Sequence, residues 1–112
     1  MVDGLWTIKF VSSSGATGAG VLVFWNNRIY GGDARYYYLG EYRVEGETLS
    51  VKMEITHFSG EPESVYGRME FIELEMQGRV DEAKMNLFGR IPNDPASKSA
   101  IRCEKRADIP RF

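Results

Sequence analysis

Residues 48–57, Thr-Leu-Ser-Val-Lys-Met-Glu-Ile-Thr-His, alternate between apolar and polar side chains without a break. In an extended chain, successive side chains point to opposite faces. Leu49, Val51, Met53 and Ile55 therefore share one face, and Ser50, Lys52, Glu54 and Thr56 share the other. Such a pattern fits a strand that is dry on one side and wet on the other, the usual condition of an antiparallel sheet.

The same period of two recurs on both sides of this stretch. Upstream, residues 35–44 (RYYYLGEYRV) form a strand joined to it by a turn at Glu45-Gly46-Glu47, and Gly40 is read as a bulge or a barrel bend. Gly31-Gly32-Asp33 interrupts the pattern, and before it Arg28-Ile29-Tyr30 follows a tight hairpin at Asn26-Asn27. Asparagine suits such a turn because it tolerates positive φ. Residues 19–25 (AGVLVFW) are apolar on both faces, and Ser12 to Gly18 forms a Ser- and Gly-rich turn. Residues 4–11 (GLWTIKFV) make the first strand, with Trp6, Ile8 and Phe10 on one side.

Downstream, Ser59 to Gly67 is irregular and holds Gly60, Pro62 and Gly67. A strand over 69–80 carries Ile72, Leu74, Met76 and Val80 on one face, and adjacent Phe71 and Ile72 suggest a local phase change. Asp81-Glu82 turns into residues 84–91, where Met85, Leu87, Gly89 and Ile91 share a face. Pro92-Asn93-Asp94-Pro95 stops that strand, and residues 99–105 (SAIRCEK) make the last.

A flat meander of this many strands would leave unpaired edges and an uncovered apolar face. Closure removes both. The expected fold is all-β: one antiparallel up-and-down β-barrel of about eight strands, with a two-sheet sandwich as the main alternative. The chain of 112 residues fits a single domain, residues 1–112, with 106–112 read as a flexible tail.

Composition narrows the function classes. A net charge of −2 argues against nucleic acid as a partner. No apolar run is long enough for a membrane helix, and no signal peptide opens the chain, so a bacterial cytoplasmic protein is the expectation. Cys103 is the single cysteine, which leaves no internal disulfide and no thiolate metal cluster. From Lys98 onward, five basic residues stand against Glu104 and Asp108, a bias read as a solvated strand and tail rather than a phosphate-binding arm.

No group of residues is arranged for catalysis. His57 is the single histidine, and although Ser59 and several acids are near it, nothing orders them as a triad. The run Ser-Ser-Ser-Gly-Ala-Thr-Gly-Ala-Gly at 12–20 lacks the Gly-Lys-Ser/Thr ending of a P-loop and enters a strand instead of a helix. Tyr36, Tyr37, Tyr38 and Tyr42, with Trp25 and Tyr30, form a dense aromatic group suited to core packing or a protein interface. Three successive tyrosines must alternate in and out, so at least one is exposed. Glu45, Glu47, Glu61 and Glu63 lie in two loops, either simply solvated or an acidic handle for a basic partner.

Two resemblances follow from these residues. Gly4-Leu5-Trp6 is similar to the G-x-W start of lipocalins and other calycins, which implies that Trp6 closes one barrel end beneath Arg102 or Lys105 of the last strand. A longer match runs D-G-L-W-T-I-K-F, G-A-G-V-L-V-F, I-Y-G-G-D and Y-Y-L-G-E-Y over the first ~40 residues. It resembles the GrlR-like family of type III secretion negative regulators, through Asp3-Gly4, Gly18, Gly20, Gly31-Gly32-Asp33, Tyr38 and Gly40. That resemblance implies a small calycin-like barrel that dimerises and sequesters a transcriptional activator. The acidic Glu-Asp-Glu-Asp loop of the family's namesake corresponds here to Val44-Glu45-Gly46-Glu47, which keeps two of the acids.

The expected function is therefore a non-enzymatic regulatory or adaptor protein, a homodimer that binds a partner protein through Glu45 and Glu47. It uses no cofactor and no metal and contacts neither nucleic acid nor membrane. The alternative is a carrier holding an apolar ligand inside the barrel, against Trp6, Phe10, Leu22, Phe24, Val51, Met53, Leu74 and Leu87.

Overall fold

The alternation of residues 48–57 becomes a physical division in the computed structural model: Leu49, Val51, Met53 and Ile55 are buried, and Lys52 and Glu54 are exposed. The structure describes residues 2–12, 15, 17–64, 68–92, 94 and 97–110. Eight strands follow in order: β1 (Gly4–Ser12), β2 (Thr17–Trp25), β3 (Arg28–Gly32), β4 (Tyr36–Glu45), β5 (Thr48–His57), β6 (Phe71–Arg79), β7 (Lys84–Arg90) and β8 (Lys98–Ala107). Each pairs antiparallel with the next, and β8 pairs with β1 to close the barrel. The sandwich alternative is thereby excluded.

The interior is one packed cluster that runs from Trp6 and Phe24 at one end to Phe10, Tyr36 and Tyr38 at the other. An eight-stranded barrel is just wide enough for inward side chains to fill it. The hairpins Asn26-Asn27 and Gly46 take positive φ, of 52° and 63° at the asparagines, as tight connections require. They lie at the same barrel end as the chain start and the β6–β7 turn. The other four connections, β1–β2, β3–β4, β5–β6 and β7–β8, gather at the opposite end, the mouth.

Four details correct the sequence reading. Gly31 and Gly32 do not interrupt the strand pattern; they are the end of β3, paired with Leu22 and Val21 on one side and Tyr38 and Tyr37 on the other, and the strand stops at Asp33. A Cβ on Gly31 would stand 2.0 Å from the Val21 carbonyl oxygen, so only glycine lets the two backbones approach this closely. Of the bulge or barrel bend expected at Gly40, the bulge is excluded, because Gly40 pairs in register with Ile29 and Met53; a register shift occurs instead at Leu5/Trp6 against β8. Phe71 and Ile72 need no phase change, because Phe71 points outward and Ile72 inward in unbroken alternation. Finally, Arg106 and Ala107 belong to β8, where Arg106 Nε donates to Thr7 Oγ1 at 2.8 Å and Ala107 pairs with Leu5.

Register also organises the outer charges. Arg28, Glu41, Lys52, Glu75 and Arg90 are successive neighbours across β3 to β7, alternating in sign. The first pair closes at 3.2 Å. Opposite charges directly across a sheet favour this register over a slipped one.

Candidate functional site

Three surfaces of the barrel have a composition beyond what folding needs: the closed end, the outer face of β1–β4, and the mouth.

At the closed end, Trp6 is fully buried and its indole Nε1 donates to the Val2 carbonyl at 2.8 Å. Trp6, Phe24 and Tyr42 form a chain of tilted rings with centroids 5.8 and 5.1 Å apart. The Tyr42 hydroxyl donates to Asp3, and its pKa is pushed up to about 12, chiefly by burial and then by that bond. Of the two basic residues considered for the position over Trp6, Lys105 is the one whose register is compatible with it. Lys105 pairs directly with Trp6 and its side chain is mostly buried, whereas Arg102 faces solvent.

Glu45 and Glu47 flank the hairpin at this end, both exposed. Each has an arginine beside it: Arg43 at 3.1 Å from Glu45, and Arg79 at 3.5 Å from Glu47. These are exposed ion pairs that water screens, so the carboxylates stay available. Next to them a recess of about 430 Å³ is lined by Val2, Val44 and Val80, with Asp3, Asp81 and Glu82 at its edge. Backbone N–H groups of Ala83 and Lys84 hold the Asp81 carboxyl below its ordinary pKa, so it is anionic at neutral pH. The result is an apolar patch rimmed by acids.

On the outer face of β1–β4, Leu5, Val23, Tyr30 and Leu39 are direct cross-strand neighbours in one continuous rung. Tyr30 and Leu39 are 45% and 46% exposed. The adjacent rung on one side sets Val21 and Tyr37 on either side of Gly32, and the rung on the other side holds exposed Trp25, opposite Arg28. Of the three successive tyrosines, Tyr36 and Tyr38 are buried and Tyr37 is the exposed one, as alternation demands.

At the mouth, Gly31-Gly32-Asp33 leads into a compact β3–β4 connection. The Asp33 carboxylate accepts the backbone N–H groups of Arg35 (2.8 Å) and Tyr36 (2.9 Å), and also the Tyr38 hydroxyl. Gly20 leaves room for that hydroxyl, which would lie 2.9 Å from a Cβ there. Asp33, Arg35, Tyr36 and Tyr38 thus form one hydrogen-bonded unit, with Gly20 clearing space beside it. Beside it a recess of about 400 Å³ is lined by Phe10, Tyr36, Tyr38, Ile55 and Ile72, with Arg35 and Glu63 paired at 3.2 Å on its rim. His57 ends β5 there; its Nε2 donates to the Gly60 carbonyl at 2.7 Å and its ring stands edge-on to Tyr36. Glu61 and Glu63 both pair with Arg68.

The eight residues expected to line a ligand cavity are all buried members of the packed cluster. Phe10 is the one among them that reaches the mouth recess. Cys103 is fully buried, and burial pushes its pKa up to about 12, so its thiol stays protonated and inert.

The fold is similar to that of a redesigned β-barrel of known structure, with a TM-score of 0.51 and 12% identity, covering 94% of this chain and 91% of that one. No family model and no curated protein matches the chain.

Proposed function

We propose that this protein is a non-enzymatic regulatory or adaptor protein that works as a pair of identical barrels and holds a partner protein at its closed end. The observation that carries this reading is the rung Leu5–Val23–Tyr30–Leu39, a continuous apolar row left facing water. Contiguous apolar surface of this kind marks protein-binding faces. Tyr30, Tyr37 and Trp25 add the aromatic anchors that dominate interface energies. A two-fold pair would set the same rung against itself and dry it on both sides.

The partner would be basic. Asp3, Asp81 and Glu82 help line an apolar recess at the closed end, and Glu45 and Glu47 lie on the hairpin next to it, a combination that suits a segment carrying Lys or Arg around an apolar residue. This is how a GrlR-like regulator would sequester a transcriptional activator, acting in the cytoplasm without touching nucleic acid or membrane itself. Light scattering on the purified chain tests the pairing, and affinity capture with wild type against a Glu45→Lys/Glu47→Lys variant tests the partner face. A monomer at micromolar concentration contradicts the first, and an unchanged set of captured proteins the second.

A second reading, carriage of a small apolar ligand, draws on the mouth recess lined by Phe10, Tyr36, Tyr38, Ile55 and Ile72. Titration with an apolar fluorescent probe and a Phe10→Ala variant would separate it from the first.

A further inference from the structure

The alternating charges Arg28, Glu41, Lys52, Glu75 and Arg90 lose their alternation at the next step. Lys98 of β8 stands directly opposite Arg90. Farther along β8, Arg102 stands directly opposite Lys9 of β1. Like charges facing each other across a sheet destabilise it. Among the described residues, none of these four cations forms an ion pair. The barrel therefore bears two cationic pairs on one face, and of the four cations only Arg90 serves the sheet register, through its neighbour Glu75.

Between the two pairs runs an apolar rung. Val11, Ala100 and Phe88 are direct neighbours on β1, β8 and β7. Phe88 is 62% exposed, more than any other large apolar residue described. A groove of about 630 Å³ opens beside it, lined by Lys52, Arg90 and Lys98, with Glu75 as its one carboxylate. This site is separate from the β1–β4 rung and from the Glu45–Glu47 end.

We propose that the outer face of β7, β8 and β1 docks an extended acidic segment of a partner protein, one with two carboxylates four residues apart and an apolar side chain midway. The spacing follows from the strand. Lys98 and Arg102 are four residues apart on β8, roughly 13 Å, and residues i and i+4 of an extended peptide lie at the same distance and on the same side. The residue at i+2 then lands on Ala100, Phe88 and Val11. At one end the carboxylate meets Arg90 with Lys98, and at the other Arg102 with Lys9. Each site offers a guanidinium that binds a carboxylate through two parallel hydrogen bonds. A nucleic-acid backbone fits less well, because the four cations form a block that Glu75 and Glu104 bound rather than a track along a charged polymer.

The test is fluorescence anisotropy with the full chain and a dye-labelled ten-residue peptide bearing two glutamates four positions apart and a leucine midway. The control peptide has glutamines in place of the glutamates. The acidic peptide should bind at least about tenfold more tightly than the control, and less tightly as salt rises. Lys98→Glu/Arg102→Glu should abolish the preference, and Phe88→Ser should weaken binding about tenfold. The milder pair Arg90→Gln and Lys9→Gln should each give a partial loss, with thermal melts showing the barrel intact. Equal binding of the two peptides, no binding of either, or indifference to the charge reversals would overturn the proposal. So would tighter binding of a single-stranded oligonucleotide through the same cations, or salt-sensitive self-association that these variants remove.

Discussion

Val23 and Tyr30 stand directly opposite each other on β2 and β3, and both side chains point away from the barrel interior. Leu5 and Leu39 extend the row on either side. A barrel whose core is already filled gains nothing for its own folding from this row. Its cost in water is recovered when a second surface covers it.

Tyr38 and Asp33 should prove to be a structural pair. Tyr38→Phe removes the hydroxyl's bond to Asp33 and should lower stability by about 1 kcal/mol. Asp33→Ala removes the acceptor shared by two backbone N–H groups and the Tyr38 hydroxyl, and should cost about 2–4 kcal/mol. Denaturant melts of the two variants check the order; an Asp33→Ala loss no larger than that of Tyr38→Phe would contradict it.

Gly31→Ala should be among the most disruptive single-methyl changes in the chain, because the methyl would meet a backbone oxygen at 2.0 Å that cannot move aside. Gly20→Ala should be milder, since its obstacle at 2.9 Å is a side-chain hydroxyl. Expression and melting temperature of the two variants make the comparison.

Stability should fall at alkaline pH. Tyr42 is raised from 10.0 to about 12 and Cys103 from 9.0 to about 12. Groups raised in the folded state stabilise it fully below their unfolded pKa, and that contribution is lost as pH climbs through the folded value. The loss should begin near pH 9 for Cys103, near pH 10 for Tyr42, and be complete above about pH 12 for both. In Tyr42→Phe the part of this decline between pH 10 and 12 should flatten, as urea midpoints across that range would register.

Glu45→Lys/Glu47→Lys should leave the folding free energy within about 0.5 kcal/mol of wild type, as denaturant melts would show, because the Arg43 and Arg79 pairs are exposed and weak. Any loss of partner capture would then be a loss of binding and not of fold.

Much of the barrel was legible in the sequence because period-two alternation is local. The strand at 48–57, the Asn26-Asn27 hairpin and the single exposed tyrosine of Tyr36–Tyr38 all follow from neighbours along the chain. Features made by closure were not. Lys9 meets Arg102 only because β1 and β8 join, and no local pattern announces that pairing. The role of Gly31 was likewise hidden: a glycine pair reads as an interruption of the pattern, whereas here it is a strand pressed against β2. The eight residues read as a cavity lining were correctly placed inside, but an inward face does not reveal whether the interior is filled.

The pairing of barrels through β1–β4 is tested most directly by sedimentation equilibrium of wild type and of a Tyr30→Glu/Leu39→Glu variant at micromolar concentration. Wild type should sediment at twice the chain mass, and the variant as a folded species of single chain mass. Single chain mass for wild type, or a dimer unchanged by the two substitutions, would contradict it.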